Sequence, residues 1–446
     1  AEERRSTLDD QTAVAVTIYN EDLALVKDRR QLELPVGGLD LAFRDVSARI
    51  QPETALLRGL TEGANLKVIE QNFDFDLLTP GKLLEKYVGR PVGVIKVHPT
   101  TGEETEEEAL VLSAAEGTVL RMGDRIETGQ PGRIVFREVP PTLRDRPTLV
   151  MKLDNGLAGP QELELSYLTA GLSWKADYVG ELAADDSHLD LTGWVTLNNT
   201  SGTAYRDAQL QLVAGDVNRV RDLPSPAMQK EGMRMMAAAA PMMEEEALFE
   251  YHLYSLARPT TIADNQSKQV ALLAAQGIPA RKELIFKGND YYYRAQQGEI
   301  GVKLKASVFL EIDNREEANL GLPLPKGVVR IYKKDSQGKA QFVGEDRIDH
   351  TPKNETLRLK LGEAFDVTAD KTQTDFVKLS GTGPWQYQFE TAYRLRLRNA
   401  KPEAVTVKVR EPIPGDWKIL ESSHPHQKVS ANLAEWEIKI PAEGET

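Results

Sequence analysis

The chain has 446 residues, too many for a single hydrophobic core, so roughly three domains of about 100–200 residues each are expected. With 41% hydrophobic and 28% charged residues it belongs with folded rather than disordered chains. The net charge of −13 opposes nucleic acid or an anionic membrane as main partner, and the absence of cysteine excludes thiolate catalysis, cysteine zinc sites and disulfides.

From the N-terminus, Ala1-Glu-Glu-Arg-Arg reads like the start of a mature exported chain, and a cysteine-free composition is compatible with a bacterial periplasm. Val14, Val16 and Ile18, then Leu23 and Leu25, alternate around the turn Asn20-Glu-Asp22 and predict a hairpin. Leu32 and Leu34, the turn Val36-Gly-Gly38, then Leu39, Leu41 and Phe43 predict a second one. Strands continue to Asp76 through Leu66, Val68 and the aromatic pair Phe73 and Phe75.

At Thr79 the pattern changes. Thr79 suits an N-cap, Pro80 the first helical position, and Leu83, Leu84 and Tyr87 one apolar stripe before Gly89, which predicts one short helix. From Pro91 to Phe136, short strands separated by Thr101-Gly102, Glu116-Gly117, Met122-Gly-Asp124 and Gln130-Pro-Gly132 predict a small five-stranded barrel inserted into the first sandwich. Long alternation resumes over 147–221, with Trp174 and Tyr178 expected in the core. The segment 222–248 holds six methionines and four consecutive alanines and is expected to be a mobile surface excursion.

The most telling stretch is Val302 to Asp366. Val302, Leu304, Ala306, Val308, Leu310 and Ile312 alternate with polar residues, and a turn-rich middle separates them from Leu357, Leu359 and Leu361. That is the grammar of an antiparallel β-sandwich. Tyr393, Leu395 and Leu397, then Val405, Val407 and Val409, then Trp436, Ile438 and Ile440 predict a last β-unit. Pro441 to Glu445 reads as a turn with no returning strand. An unpaired edge is therefore expected there, from a shortened chain or one completed by a neighbouring molecule. No repeat at a fixed period argues for a propeller or solenoid.

Several segments resemble a bacterial envelope family of unknown function, the mucoidy-inhibitor-A-like proteins. They are Tyr167 to Trp174 running on to Tyr178, Trp194 to Asn199, Glu250 to Tyr254, Gly321-Leu-Pro-Leu-Pro325, Gly338 to Glu345 and Asp416-Trp417. The resemblance covers most of the chain from about Pro147 onward and is looser before it. Where the best-known members carry a long coiled coil, this chain has the block 77–138. The resemblance implies an exported, all-β, multidomain protein and supplies no catalytic residues.

His424-Pro-His426 has ligand-like spacing, but Pro425 and the preceding serines make it a solvated loop. Ser173 lacks the nucleophile-elbow pattern, and Gly381-Thr-Gly383 is a turn rather than a phosphate cradle. Asp74 and Asp76 share a strand face; Asp185, Asp186 and Asp190 cluster near a turn without the spacing of a helix-loop-helix calcium site. Glu103, Glu104, Glu106, Glu107 and Glu108 form a like-charge run expected on a solvated hairpin tip. Two aromatic groups remain: Trp385, Tyr387 and Phe389 at period two, read chiefly as core, and Tyr291, Tyr292 and Tyr293. Three consecutive side chains on a strand cannot all face inward, so at least one of these tyrosines is expected at the surface as a ligand or partner contact.

The expectation is thus an all-β protein of several antiparallel, immunoglobulin-like β-sandwich domains with a small inserted β-barrel. The divisions are 11–76 plus 139–221, 77–138, 222–248, 249–375 and 376–446. Its expected role is a non-enzymatic envelope scaffold that engages a protein partner or itself, with no cofactor, no nucleic acid and no membrane-spanning segment. Alternatives are a glycan-binding protein using exposed aromatics and, third, a carboxylate-dependent hydrolase.

Overall fold

The computed structural model describes residues 3–74, 77–129, 132–140, 143–215, 217–218, 243–379 and 388–446. Most of the excursion 222–248 lies outside the described residues, as do Phe75, Asp76, Trp385 and Tyr387. Strands account for 64% of the structure and helix for 5%, in several sheets, none closed into a barrel. The all-β, sandwich-like class is therefore established. The chain forms two compact units, one of residues 1–174, 197–217 and 244–268, the other of 175–196, 218–243 and 269–446.

In the first unit the hairpin Gln11–Tyr19/Leu23–Leu34 forms as the alternation predicts, with Tyr19 opposite Leu23 and Asp22 left-handed in the turn. The second expected hairpin does not form. At Pro35 the chain leaves the eight-stranded sheet, and Gly37–Arg44 joins a four-stranded sheet beside Thr148–Asn155. Alternation reports that a strand has one buried face; it does not report which sheet the strand enters. The two sheets meet face to face, with the Arg30 guanidinium 3.8 Å from the centre of the Phe43 ring and Arg30 Nη2 donating to Asp28 at 2.8 Å. Arg30 is fully buried, and it is tolerable there because Asp28, Ser6 and the Arg44 carbonyl take its donors.

The predicted helix is Pro80–Lys86, with Thr79 Oγ1 accepting from Lys82 N at 3.2 Å. Behind it Tyr87, Val92, Val94, Ala109, Val111, Leu120 and Met122 make a small core. The five strands around that core form an open antiparallel sheet, not the expected barrel. Arg125–Thr128 lies at one edge and Arg133–Val135 at the other. Edge strands of four and three residues are too short to bend the sheet round to closure. Met243–Leu248, expected within the mobile excursion, is an edge strand beside Tyr251–Leu256.

The second unit is built on a twelve-stranded sheet. Leu172–Leu182 pairs in parallel with Gly327–Lys334, from Ala176 opposite Gly327 to Leu182 opposite Lys333. This long-range parallel ladder departs from the purely antiparallel expectation. It also draws residues 175–196, which local pattern assigns to the first sandwich, into the second unit. Strand Thr356–Leu379 runs unbroken through the expected boundary at 375/376. It faces Val405–Pro412 and Leu433–Ile440 across a core of Leu284, Phe286, Val367, Leu397, Val407 and Ile440, among others. The C-terminal edge expected to be bare is paired. Leu433–Ile440 has Val405–Pro412 on one side and His426–Ser430 on the other, while Gly444 and Glu445 pair with Asn399 and Arg398.

Among the described residues four buried asparagines close strand ends: Asn155, Asn199, Asn314 and Asn399. Asn314 shows the device most fully. Its Nδ2 donates to the Leu322 and Pro352 carbonyls at 2.7 and 3.0 Å, and its Oδ1 accepts from Gly321 N and Leu322 N at 3.0 and 3.2 Å. The isosteric change Asn314→Leu strands all four backbone groups. Urea unfolding of that variant is expected to show a loss of about 3 kcal/mol or more; a loss within experimental error would show that the bracket is dispensable.

Candidate functional site

The clearest polar constellation of the second unit gathers at Asn289 to Ala295. Asp290–Arg294 is a 3-10 turn, not a strand, so its three tyrosines fan in different directions. Tyr291 stands in solvent at 53% exposure, while Tyr292 is buried at 7%. Their rings meet edge to face at 4.5 Å. The expectation of at least one exposed tyrosine holds, for Tyr291, through a turn instead of strand alternation.

The other two rings close over Lys371. Its Nζ lies 4.6 Å from the centre of the Tyr292 ring, 5.2 Å from Tyr393 and 6.0 Å from Tyr293, within reach of cation–π attraction. The same nitrogen is 2.5 Å from Glu411 Oε1, and the two side chains are only 4% and 6% exposed. Tyr293 Oη donates to the other oxygen, Glu411 Oε2, at 2.8 Å. Gln373 holds the loop to the strand. Its Nε2 donates to Thr391 Oγ1 at 3.0 Å and to the Ala295 carbonyl at 3.2 Å, and its Oε1 accepts from Gln297 N at 2.5 Å. Tyr393 Oη donates to the Tyr292 carbonyl at 2.8 Å.

Burial lowers the affinity of the Lys371 amine for its proton; the Glu411 carboxylate opposes that shift without cancelling it. Burial, reinforced by Glu411, pushes the Tyr293 phenol well above its ordinary range, so it stays a hydrogen-bond donor. An amine is thus held against a carboxylate, in a pocket of rings, with a permanent donor on the second oxygen.

Sequence reading found the tyrosines and missed Lys371, Glu411 and Tyr393. A signal was present. Val367, Ala369, Lys371 and Gln373 share the inward phase of one strand, and Val405, Val407, Val409 and Glu411 that of another. A charge in the apolar phase of a strand requires a buried partner.

Other candidates are accounted for by local partners. Asp186 pairs with Lys282 and Lys333; burial pushes its carboxyl up, and the two ammonium groups outweigh that and hold it low. Asp190 accepts from Gly277 N, and Asp74 from Arg144 Nε. The glutamate run is largely solvated, as expected; Glu103 lies in the turn between Pro91–Val97 and Glu104–Ser113, and the other four run along that second strand. Glu104 pairs with Arg133, Glu106 with Arg137, and Glu107 with Lys96 and Arg125. Tyr178 is buried and donates to the Pro325 carbonyl at 2.7 Å, and Trp174 is buried. Phe389, expected as core, lies at the surface stacked on Phe376 with ring centres 5.4 Å apart. No cluster of three or more metal-ligating side chains occurs among the described residues.

Residues 163–446 match a family described as Domain of unknown function (DUF4139). No curated protein is similar to the chain.

Gly288 sits against the Glu411 carboxylate, where a methyl group would overlap Oε2. Gly288→Ala is therefore expected to push the carboxylate off Lys371 and to cost about 1–3 kcal/mol in urea unfolding. Tyr291→Ala, which touches only the rim, should stay within about 0.5 kcal/mol of the parent. Equal effects of the two changes would show that the carboxylate is not held where the structure places it.

Proposed function

We propose that this chain, which belongs to the DUF4139 family, is a non-enzymatic exported envelope protein whose β-units serve as a scaffold for a protein partner or for a second copy of itself. The observation that carries the reading is the two-stranded end of one β-ribbon. Strands Thr356–Leu379 and Gln388–Asn399 stay paired as far as Leu379 opposite Gln388, whereas the neighbouring strand Glu299–Asp313 leaves them at Thr372. Beyond that point the ribbon is two-stranded among the described residues. It turns Phe376 and Phe389 to one face and exposes Val377 and Leu379 on the other. A two-stranded ribbon with apolar side chains on both faces is marginal in water and gains by inserting into a partner.

The acidic surface supports a protein rather than a nucleic-acid partner. The segments resembling mucoidy-inhibitor-A-like proteins support a periplasmic or extracellular location in a bacterium. No helix among the described residues is long and apolar enough to cross a membrane.

The test compares the parent protein with Phe376→Ser/Phe389→Ser. Sedimentation velocity and affinity capture from bacterial envelope extracts are expected to show association by the parent, weakened at least about tenfold in the variant, a loss of about 1.4 kcal/mol. A monomeric parent that recovers no partner, or a partner retained equally by both proteins, overturns the reading.

A second reading rests on Tyr291, whose exposed ring leans edge-on against Tyr292 and offers a platform for the apolar face of a sugar. On a glycan array the parent should then bind, and Tyr291→Ala should not. Binding indifferent to Tyr291, or none at all, removes this alternative.

A further inference from the structure

The contact between Lys371 and Glu411 is closer, drier and more crowded than an ion pair needs. A buried ion pair is a poor source of stability, because desolvation of both charges offsets most of their attraction. Yet the fold invests heavily in this one. Two strands from opposite faces of a core bring the residues together, three tyrosine rings close over the amine, and a glycine clears space for the carboxylate. The chain has no cysteine and so no disulfide with which to tie distant strands.

We propose that Lys371 and Glu411 condense after folding into an intramolecular isopeptide bond. The ammonium and carboxylate first exchange a proton to give a neutral amine and a neutral acid. Nζ then attacks Cδ, and negative charge develops on Oε2, where the Tyr293 hydroxyl, 2.8 Å away, is already placed to stabilise it. The Cδ–Oε1 bond breaks, and Oε1 departs as water with one proton from the amine and one from the acid. The product is a neutral amide. The atoms and charges of an ammonium and a carboxylate equal those of an amide and one water, so no oxidant, nucleotide or other co-reactant is required.

Three features favour the condensation. Nζ and Oε1 are held 2.5 Å apart, which sets the amine beside Cδ; such placement raises effective concentrations to about 10⁵–10⁸ M. The surrounding rings exclude the water that would reverse the reaction. Burial favours the neutral amine, the form that attacks. The resulting link joins residues 40 apart in sequence, closing a loop that contains all of strand Gln388–Asn399, and it replaces two buried charges with one uncharged amide. The proposal is independent of any partner or ligand.

Intact-mass spectrometry of the full-length folded protein decides it. The expected mass is one water below that calculated from the sequence. Trypsin should fail to cut after Lys371 and should release a branched peptide that carries both Lys371 and Glu411. Lys371→Arg restores the full calculated mass. Tyr293→Phe, which keeps the ring and loses the donor, should yield a mixture in which unlinked chain predominates early after refolding and declines with time. A folded parent protein of full calculated mass, cut normally after Lys371, overturns the proposal whatever the variants do.

Discussion

A strand that ends inside a protein leaves backbone donors and acceptors with nowhere to go, and this fold depends on how those groups are satisfied. With strands making up 64% of the structure, every turn between buried strands raises the problem. Asparagine solves it at four places. Its side chain carries the donor and acceptor of a peptide unit on a single-carbon stem, so it extends the ladder one rung past the end of the strand. Asn199 donates to the Thr203 and Ala263 carbonyls and accepts from Ser201; Asn399 donates to Glu403 and Pro441 and accepts from Lys401. Aspartate would lose the donors, and glutamine would overreach. The brackets also fix where the following turn lies, and hence the register of the next strand.

The same rule governs the tyrosine-lined site. Gln373 occupies the inward phase two residues after Lys371 and places its whole amide on loop and strand partners, which makes the turn Asp290–Arg294 part of the core instead of a surface loop. Only with that turn in place can Tyr292 and Tyr293 reach Lys371. The polar network therefore precedes the cage in the logic of the fold: remove the anchor, and the rings have no reason to face inward.

How much of this was legible depended on whether the determining partner was near in sequence. The Gln11–Leu34 hairpin, the Thr79-capped helix and the strand series from Val302 were readable, because period, cap and turn residues lie within a few positions of each other. The transfer of the chain between sheets at Pro35 and the parallel ladder of Leu172–Leu182 on Gly327–Lys334 depend on residues far away in sequence. Alternation says nothing about them. The site was half legible for the same reason. Tyr291, Tyr292 and Tyr293 drew notice as a run of rings, but what they surround comes from positions 371, 393 and 411. Lys371 and Glu411 announced themselves only as charges out of phase, in a chain rich enough in charge to hide them.

The ribbon and the caged lysine lie on one strand, and that placement has a mechanical consequence. Lys371 sits at the last fully three-stranded part of Thr356–Leu379, immediately before the segment that has a single partner strand among the described residues. Any pull on the two-stranded end reaches Gln373 and Lys371 before it reaches the apolar core. Hydrogen bonds loaded one after another at a ribbon end yield in sequence, and an ion pair shielded by rings resists only until water enters. A covalent tie from Lys371 to the strand Val405–Pro412 would instead pass the load to a strand flanked on both sides, by Gln266–Lys287 and Leu433–Ile440. A ribbon loaded at its two-stranded end needs its anchorage at this position, at the base of that segment and across the core from it. The structure puts a buried, ring-shielded charge pair there.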